Sequence, residues 1–423
     1  MLKSRIDFET LHGKKSNLPQ PARALALAVG GGDTLLFRFP DGQPGLVCTE
    51  MFKTSPKRWA VSPLTVLGWD ARRRPVAASA LLSLAMGTLP PAGAVLPHEV
   101  VAQEFQFDAD FPMELIDVSI IGLEEEFGVL LDSDLGWDGV VYLLDYSNSQ
   151  VIAVDPSGEV AWRRGGEGQG PGEFRTPYRL TEARDGVLHV FDLYGRAISR
   201  FSPDGEFIDR RQVQATFEAV TDLVVHPDGR TAISGTSSYG VAMGWAVHVF
   251  TPDLRHVHSF GPLPTAENPM ALSYHGAGPL TATPEGDLLY VRRLPYDIHR
   301  YSLDGDHLAT FDTPFEYDVT ADDRLNFEER EGGGITTSRS DVEMPRFGEA
   351  VMLADSLFVV SRREGDRRFL DLFTYDSGYV GTASIPADWG SLVGFDRNRG
   401  FLWTTGEHLL QPVLRRLHIT LKP

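Results

Sequence analysis

Arginines are the residues of this chain whose placement points most directly to chemistry. Arg179, Arg346 and the pairs Arg292-Arg293 and Arg362-Arg363 stand at the ends of short apolar runs with the period-two alternation of strands. The planar guanidinium fork grips a carboxylate, phosphate or sulfate through two parallel N–H donors. Arg179, Arg293, Arg346 and Arg363, converging at one mouth of a rigid scaffold, would form an anion site, with Tyr178, His275 and Trp389 at comparable positions along its lining. The competing reading is ordinary pairing with neighbours such as Asp297, Glu364 and Asp366. Sequence leaves both open.

Other signatures point to structure. The run GGEGQGPG over 165–172 has the glycines of a phosphate cradle, but no Lys-Ser/Thr follows and it opens a strand rather than a helix. It reads as a connector. Asp145 with Asn148, and Asp192 with Arg196, sit across tight turns, where short polar side chains brace the backbone. His256 and His258 share one face of a strand without a third ligand of suitable spacing. Neither a Gly-x-Ser-x-Gly elbow nor a His-Glu-x-x-His helix occurs. No cofactor, metal or catalytic residue is expected. The run Glu328-Glu329-Arg330-Glu331 before three glycines reads as a solvated mobile loop, or a lid.

The elements that must position these residues announce themselves by repetition. A β-rich run, a tight turn and another strand recur, the turns reading DPSG at 155–158, SPDG at 202–205, TPDL at 251–254, SLDG at 302–305 and YDSG at 375–378. A period of about 40 to 50 residues with several strands per unit is that of a β-propeller. Five turns give five blades. A sixth strand group, Phe401-Leu402-Trp403 and 413–421, lacks a full set, and an open ring would expose unpaired edges. The segment 100–121, containing Leu115-Ile116-Asp117-Val118, can supply the missing strand. The expectation is an all-β, six-bladed propeller of four-stranded antiparallel blades, closed by an N-terminal strand.

The run from Arg163 to Arg211 resembles the NHL repeat and the bacterial six-bladed propellers related to it. The resemblance rests on Gly-Pro-Gly-Glu-Phe at 170–174, Pro177, Asp185-Gly186, Asp192 with Arg196, and the Ser-Pro-Asp-Gly turn. The preceding unit matches through Asp145, Asn148 and Gln150, and later units diverge. Lactonases, arylesterases and amidating lyases share the six-bladed form, which in the lactonase type implies a metal held by a Glu, an Asn and an Asp from different blades. No such set stands in matching positions: Asn148 falls in a turn, Asn268 and Asn326 in connectors.

Charge and the first hundred residues bound partners and location. The chain carries a formal net charge of -19. Residues 95–423 are more acidic still, because five of the six lysines lie in the first 57 positions. Nucleic acid is therefore excluded as a partner of the body. The only cysteine, Cys48, also lies upstream, which leaves the body without a disulfide or thiolate site. Arg72-Arg73-Arg74, an apolar stretch to Leu89 and the small residues Ala92-Gly93-Ala94 have the anatomy of an export signal. Pro90-Pro91 interrupts it before it reaches membrane-spanning length. The expected organisation is an upstream extension or disordered segment over 1–50, an export signal region over 51–94 and the propeller over 95–423, in the periplasm or outside the cell.

In such a propeller the Asp-Gly and Pro-Asp-Gly turns share one face and the blade-to-blade connectors the other. The long connectors, including the insertion 313–346, all belong to the second. Loops gathered at one mouth of a scaffold are the usual place for binding. The expected function is non-catalytic binding of a protein, peptide or small anionic molecule there. The alternative is a propeller enzyme of the lactonase, arylesterase or lyase type.

Overall fold

A computed structural model describes residues 107–108, 111–122, 127–239, 244–264, 266–267, 271–272, 277–329, 335–408 and 411–422, together with five short backbone segments between 27 and 61. The chain divides into two compact units, Met1–Val95 and Leu96–Pro423. In the first, Leu27–Ala28, Leu35–Arg38 and Pro44–Val47 form a small antiparallel sheet, and Met51–Ser55 pairs with Arg58–Val61. The export segment Arg72–Ala94 lies outside the described residues.

The second unit is a six-bladed β-propeller. Blade 1 comprises Leu130–Leu135, Val141–Asp145, Gln150–Val154 and Val160–Gly165. Blade 2 comprises Pro177–Glu182, Leu188–Asp192, Ala197–Phe201 and Phe207–Gln212. Blade 3 comprises Thr216–Val225, Thr231–Tyr239, Trp245–Phe250 and His256–Pro262. Blade 4 comprises Leu280–Ala282, Leu288–Arg292, Asp297–Tyr301 and His307–Asp312. Blade 5 comprises Arg346–Met352, Leu357–Glu364, Arg367–Thr374 and Gly378–Ile385. Blade 6 takes Ser391–Asp396, Phe401–His408 and Gln411–Leu421 from the end of the chain and Met113–Ile121 from its beginning. The expected closing strand is thus the outermost strand of blade 6, with Leu414 opposite Ile121 and Leu421 opposite Met113.

Period-two alternation explains the core. In Val141–Asp145, Tyr142 and Leu144 pack toward blade 2 while Val141 and Leu143 pack toward blade 6. The same division around the ring gives a hydrophobic cluster between every pair of adjacent blades. Each fully buried Leu or Phe contributes about 1.5–3 kcal/mol. The tight turns need left-handed backbone: Gly205 has φ of 78°, and a side chain there would meet the Trp162 ring at 2.8 Å. Leu254 holds the same position without glycine, at φ of 59°, and its buried side chain offsets the strain by packing between blades 2 and 3.

The insertion departs from expectation. In place of a loop it contains a short 3-10 turn, Ala321–Arg324, and a β-hairpin pairing Leu325–Glu329 with Ile335–Arg339. Leu325-Asn326-Phe327-Glu328 alternates apolar and polar at strand period, and Ile335-Thr336-Thr337 on the other side of the glycines is β-branched, which suits that pairing. Residues 330–334 lie outside the described residues.

Candidate functional site

The first strand of each blade lines the central channel, and the hydrogen bond closing the turn after it fixes a common level. In blades 1 to 5 these bonds run from Gly136, Ala183, His226, Thr283 and Leu353. Counting back equally from each places Asp132, Arg179, Asp222, Pro279 and Glu349 at one level of the channel. Asp134, Thr181 and Thr281 lie two residues nearer the turns. Three carboxylates and one guanidinium therefore form a ring, with a fourth carboxylate just below.

Most of these side chains join neighbouring blades. An innermost strand has one edge of N–H and C=O groups without a ladder partner, and side chains of adjacent blades satisfy them. Asp132 accepts from Leu180 N at 2.7 Å, Asp134 from Glu182 N at 2.7 Å and Asp222 from Leu280 N at 2.9 Å. Thr221 donates to the Ala277 carbonyl and Thr281 to the Ala350 carbonyl, both at 2.7 Å. Arg179 donates from Nε to the Thr221 carbonyl and stacks 4.6 Å above the Tyr178 ring. Glu349 differs: it makes no hydrogen bond among the described residues. It is partly exposed to the channel space, and Asp222, Asp132 and Asp134 all press on its charge.

Burial pushes the Asp132 carboxyl up to about 6, with Arg179 opposing. Burial likewise raises Asp134 to about 6, and burial with the charge of Asp132 raises Asp222 to about 7. Glu349 is held well above the usual carboxylate range by burial and then by Asp222 and Asp132. At the turn-bearing end the channel widens into a cavity of about 440 Å³. Asp134, Asp222 and Glu349 project among apolar walls that include Leu223, Val224 and Val351. Trp137 stands at its rim, 64% exposed, with the Arg184 guanidinium 5.4 Å from its ring centre.

The arginines singled out from sequence separate into three situations. Arg179 belongs to the channel ring. Arg292 pairs with Asp297, and Arg293 opens the turn after it. Arg362 is buried between the Phe315 and Phe369 rings, at 3.9 and 4.5 Å, bonded to Asp371, Glu364 and Tyr317. Because Phe315 and Tyr317 come from the insertion, this buried cation fastens the insertion to blade 5.

Arg346 and Arg363 are the third case. They are direct cross-strand partners, and Arg363 is in turn opposite Arg368. Directly opposed residues share a sheet face, with Cβ atoms about 4.5–5.5 Å apart. Three like charges thus stand in a row on the connector-bearing end of blade 5, facing blade 6. Their compensation is slight. Arg363 donates to the Gly365 carbonyl and lies 4.0 Å from the fully exposed Asp366; Arg368 donates to the Gly390 carbonyl at 2.8 Å. Arg346 is exposed and has no ion pair among the described residues. Burial, then Arg363 and Arg346, lowers the Arg368 pKa, with Asp388 opposing. A second cavity of about 440 Å³, between 340–344 and the Gly365 turn, is lined by Arg346, Arg363, Asp341, Glu343 and Asp366.

Trp389 is 4% exposed and packs edge-on against Phe107 in the core of blades 5 and 6, away from any lining position. His275 lies outside the described residues. At the structural turns, Asp145 accepts from Asn148 and Gln150 side chains and from Gly128 N. Asp192 accepts from Arg175, Thr176 and Gly195 backbone N–H groups, and its ionic partner is Arg210; Arg196 reaches Thr216 instead. Sequence reasoning missed Arg368, visible only once the strands are paired, and the channel carboxylates. For the latter a signal existed in Asp132-Ser133-Asp134, two acids at strand period in a strand that otherwise holds leucines and one serine.

These carboxylates do not fit a resident metal. Among the described residues no three His, Cys, Asp or Glu side chains are placed to hold one ion, and Asp132, Asp134 and Asp222 are engaged by backbone N–H groups.

No family model and no curated protein matches this sequence. Solved structures do. A protein described as a putative exported protein from Bacteroides fragilis superposes with a TM-score of 0.50 at 10% identity, over 76% of this chain and 98% of that one. A DUF4221 member from Bacteroides vulgatus gives 0.51 at 9% identity, over 74% and 99%. The virginiamycin B lyase of Staphylococcus aureus gives 0.45 at 12% identity, over 71% and 99%. The likeness is one of fold.

Proposed function

We propose that this protein is an exported, non-catalytic β-propeller that binds a small anionic ligand, or an anionic group of a protein or peptide, on its connector-rich face. The row Arg346, Arg363, Arg368 supports this reading. Like charges directly opposite one another destabilise a sheet. A row of three with one long, exposed carboxylate contact is accounted for by an oxyanion that pairs with two forks at once. Export rests on the Arg72–Ala94 segment, and the NHL kinship on the resemblance of blades 1 and 2.

The enzyme reading draws on Asp132, Asp134 and Asp222, whose pKa values near neutrality suit general acid–base work. Their hydrogen bonds to the next blade favour the binding reading.

Titration calorimetry of the full chain with phosphate, sulfate and citrate tests the proposal. At least one should bind, and Arg346→Ala with Arg363→Ala should weaken it at least ~10-fold, as for loss of charge-assisted pairs. Arg255→Ala, a surface residue already paired with Asp253, should not. Equal binding by the double variant, or no binding of any of the three, overturns it.

A further inference from the structure

Acids as well as arginines line the cavity beside Arg346 and Arg363. We infer that its ligand is a zwitterion, a free amino acid or short peptide whose carboxylate lies on the arginine forks and whose ammonium lies among the facing acids. The inference rests on the anion reading of Arg346 and Arg363 and narrows it. Charge decides the direction. In the lining, Asp341, Glu343 and Asp366 outnumber the two guanidinium groups. A bare anion on the forks is repelled by those carboxylates, whereas a ligand that also carries an ammonium is attracted by both signs.

The two signs share the cavity without cancelling. Among the described residues Asp341, Glu343 and Arg346 take part in no ion pair, and Arg363 reaches only Asp366, at 4.0 Å. The Gly365 turn accounts for this. Its carbonyl accepts from Arg363 Nε at 2.7 Å, which aims that fork. The Glu343 carboxylate lies against the same glycine, where any side chain would run into it. With φ of 54° the turn is one that glycine makes without strain. Fork and acid are each held by the turn rather than by one another, and both keep hydrogen-bonding capacity for a third party.

Size and wall character set the body of the ligand. A volume of about 440 Å³ is that of a small-molecule pocket, large for phosphate or sulfate alone. Val342 and Met344 alternate with the two acids along the segment 341–344 and offer hydrocarbon for an aliphatic side chain to lie against. Because Asp341, Glu343 and Arg346 are exposed, one charge pair alone holds a ligand weakly. Selectivity therefore comes from engaging both ends of one molecule at once.

The test is calorimetry of the full chain at low salt with leucine and with leucyl-leucine. Each is compared with its N-acetyl form, which lacks the ammonium, and with its amide, which lacks the carboxylate. At least one free zwitterion should bind ~10-fold or more tightly than either of its blocked forms, and the one that does separates amino acid from peptide. Arg346→Ala with Arg363→Ala should weaken it at least ~10-fold. Asp341→Asn with Glu343→Gln, nearly isosteric and at exposed side chains, should weaken the zwitterion ~10-fold and tighten the N-acetyl form by removing repulsion. Blocked forms that bind as well as the free ones, zwitterion binding indifferent to the acid pair, or no zwitterion binding at millimolar concentration would each overturn the inference. If phosphate, sulfate or citrate still binds through Arg346 and Arg363 in that event, the anion reading stands without it. Zwitterion binding unchanged in the arginine double variant would overturn both.

Discussion

The two ends of the channel carry opposite surpluses: carboxylates toward the turn-bearing end, arginines at the connector-bearing end. The difference lies in what the fold asks of each. Near the axis every inner strand has an unladdered edge, and aspartates at 132, 134 and 222 serve that edge by accepting N–H groups of the next blade. Their charge is a by-product of a structural task. On the rim of blade 5 no comparable task exists for Arg346 or Arg363, whose partners are a carbonyl and one solvated carboxylate. Contrast Arg362, one residue away on the opposite sheet face, where each guanidinium nitrogen has an acceptor and aromatic rings close both sides. Alternation along one strand thus places a structural arginine and an unsatisfied one side by side.

That contrast can be broken most forcefully at Arg362. Arg362→Leu leaves Asp371 buried without its counter-charge and releases Tyr317, and should cost about 3–5 kcal/mol in urea unfolding. Arg363→Leu, next in sequence, should cost far less.

A smaller effect comes from pH. Asp132, Asp134 and Asp222 titrate near 3.8 when unfolded and at about 6, 6 and 7 when folded, so between those values the folded protein holds more protons. Stability should therefore fall as pH rises from about 4 to about 7, by about 1–3 kcal/mol after solvent screening. Thermal melts across that range check the sign; stability rising through the window would mean that the connector end, not the channel, dominates the titration.

Glu349→Gln sharpens the comparison at one residue. It should stabilise by on the order of 1 kcal/mol at a pH high enough to ionise Glu349, and by almost nothing below that. Smallest of all, Asp366→Ala should move stability by less than about 0.5 kcal/mol, since the pair it breaks is exposed. It should nevertheless tighten any anion bound by Arg363, by removing the competing carboxylate.

The propeller was legible because its tight turns are local: each needs a left-handed residue and a proline or aspartate within four positions, and five of them survive in the sequence. Even where the signal decayed, Leu254 keeps the geometry. The sites were less legible because they are made by pairing across strands. Arg346 and Arg363 could be suspected from strand ends, but their direct opposition, and Arg368 beside them, depend on a register involving a bulge between Phe347 and Ala350. Trp389 looked like a lining residue by position, and apolar burial drew it into the core instead. Asp132 and Asp134 read as solvent-facing alternation in a strand whose other side is core. Nothing local distinguishes a water-facing side from a channel-facing one.

The outer strand of blade 6 has a consequence in time. Met113–Ile121 is made before blades 1 to 5, and its partner Gln411–Leu421 only after all of them. At roughly 5–20 residues per second that wait is on the order of 15–60 s. For that interval blades 1 to 5 can form while the sixth cannot, and an apolar strand stands with its edge open to any other chain. The most exposed moment in the life of this protein is therefore set by its topology, and a variant that weakens the Leu414 to Ile121 ladder should reveal itself first as aggregation during synthesis, before any loss of stability in the finished ring.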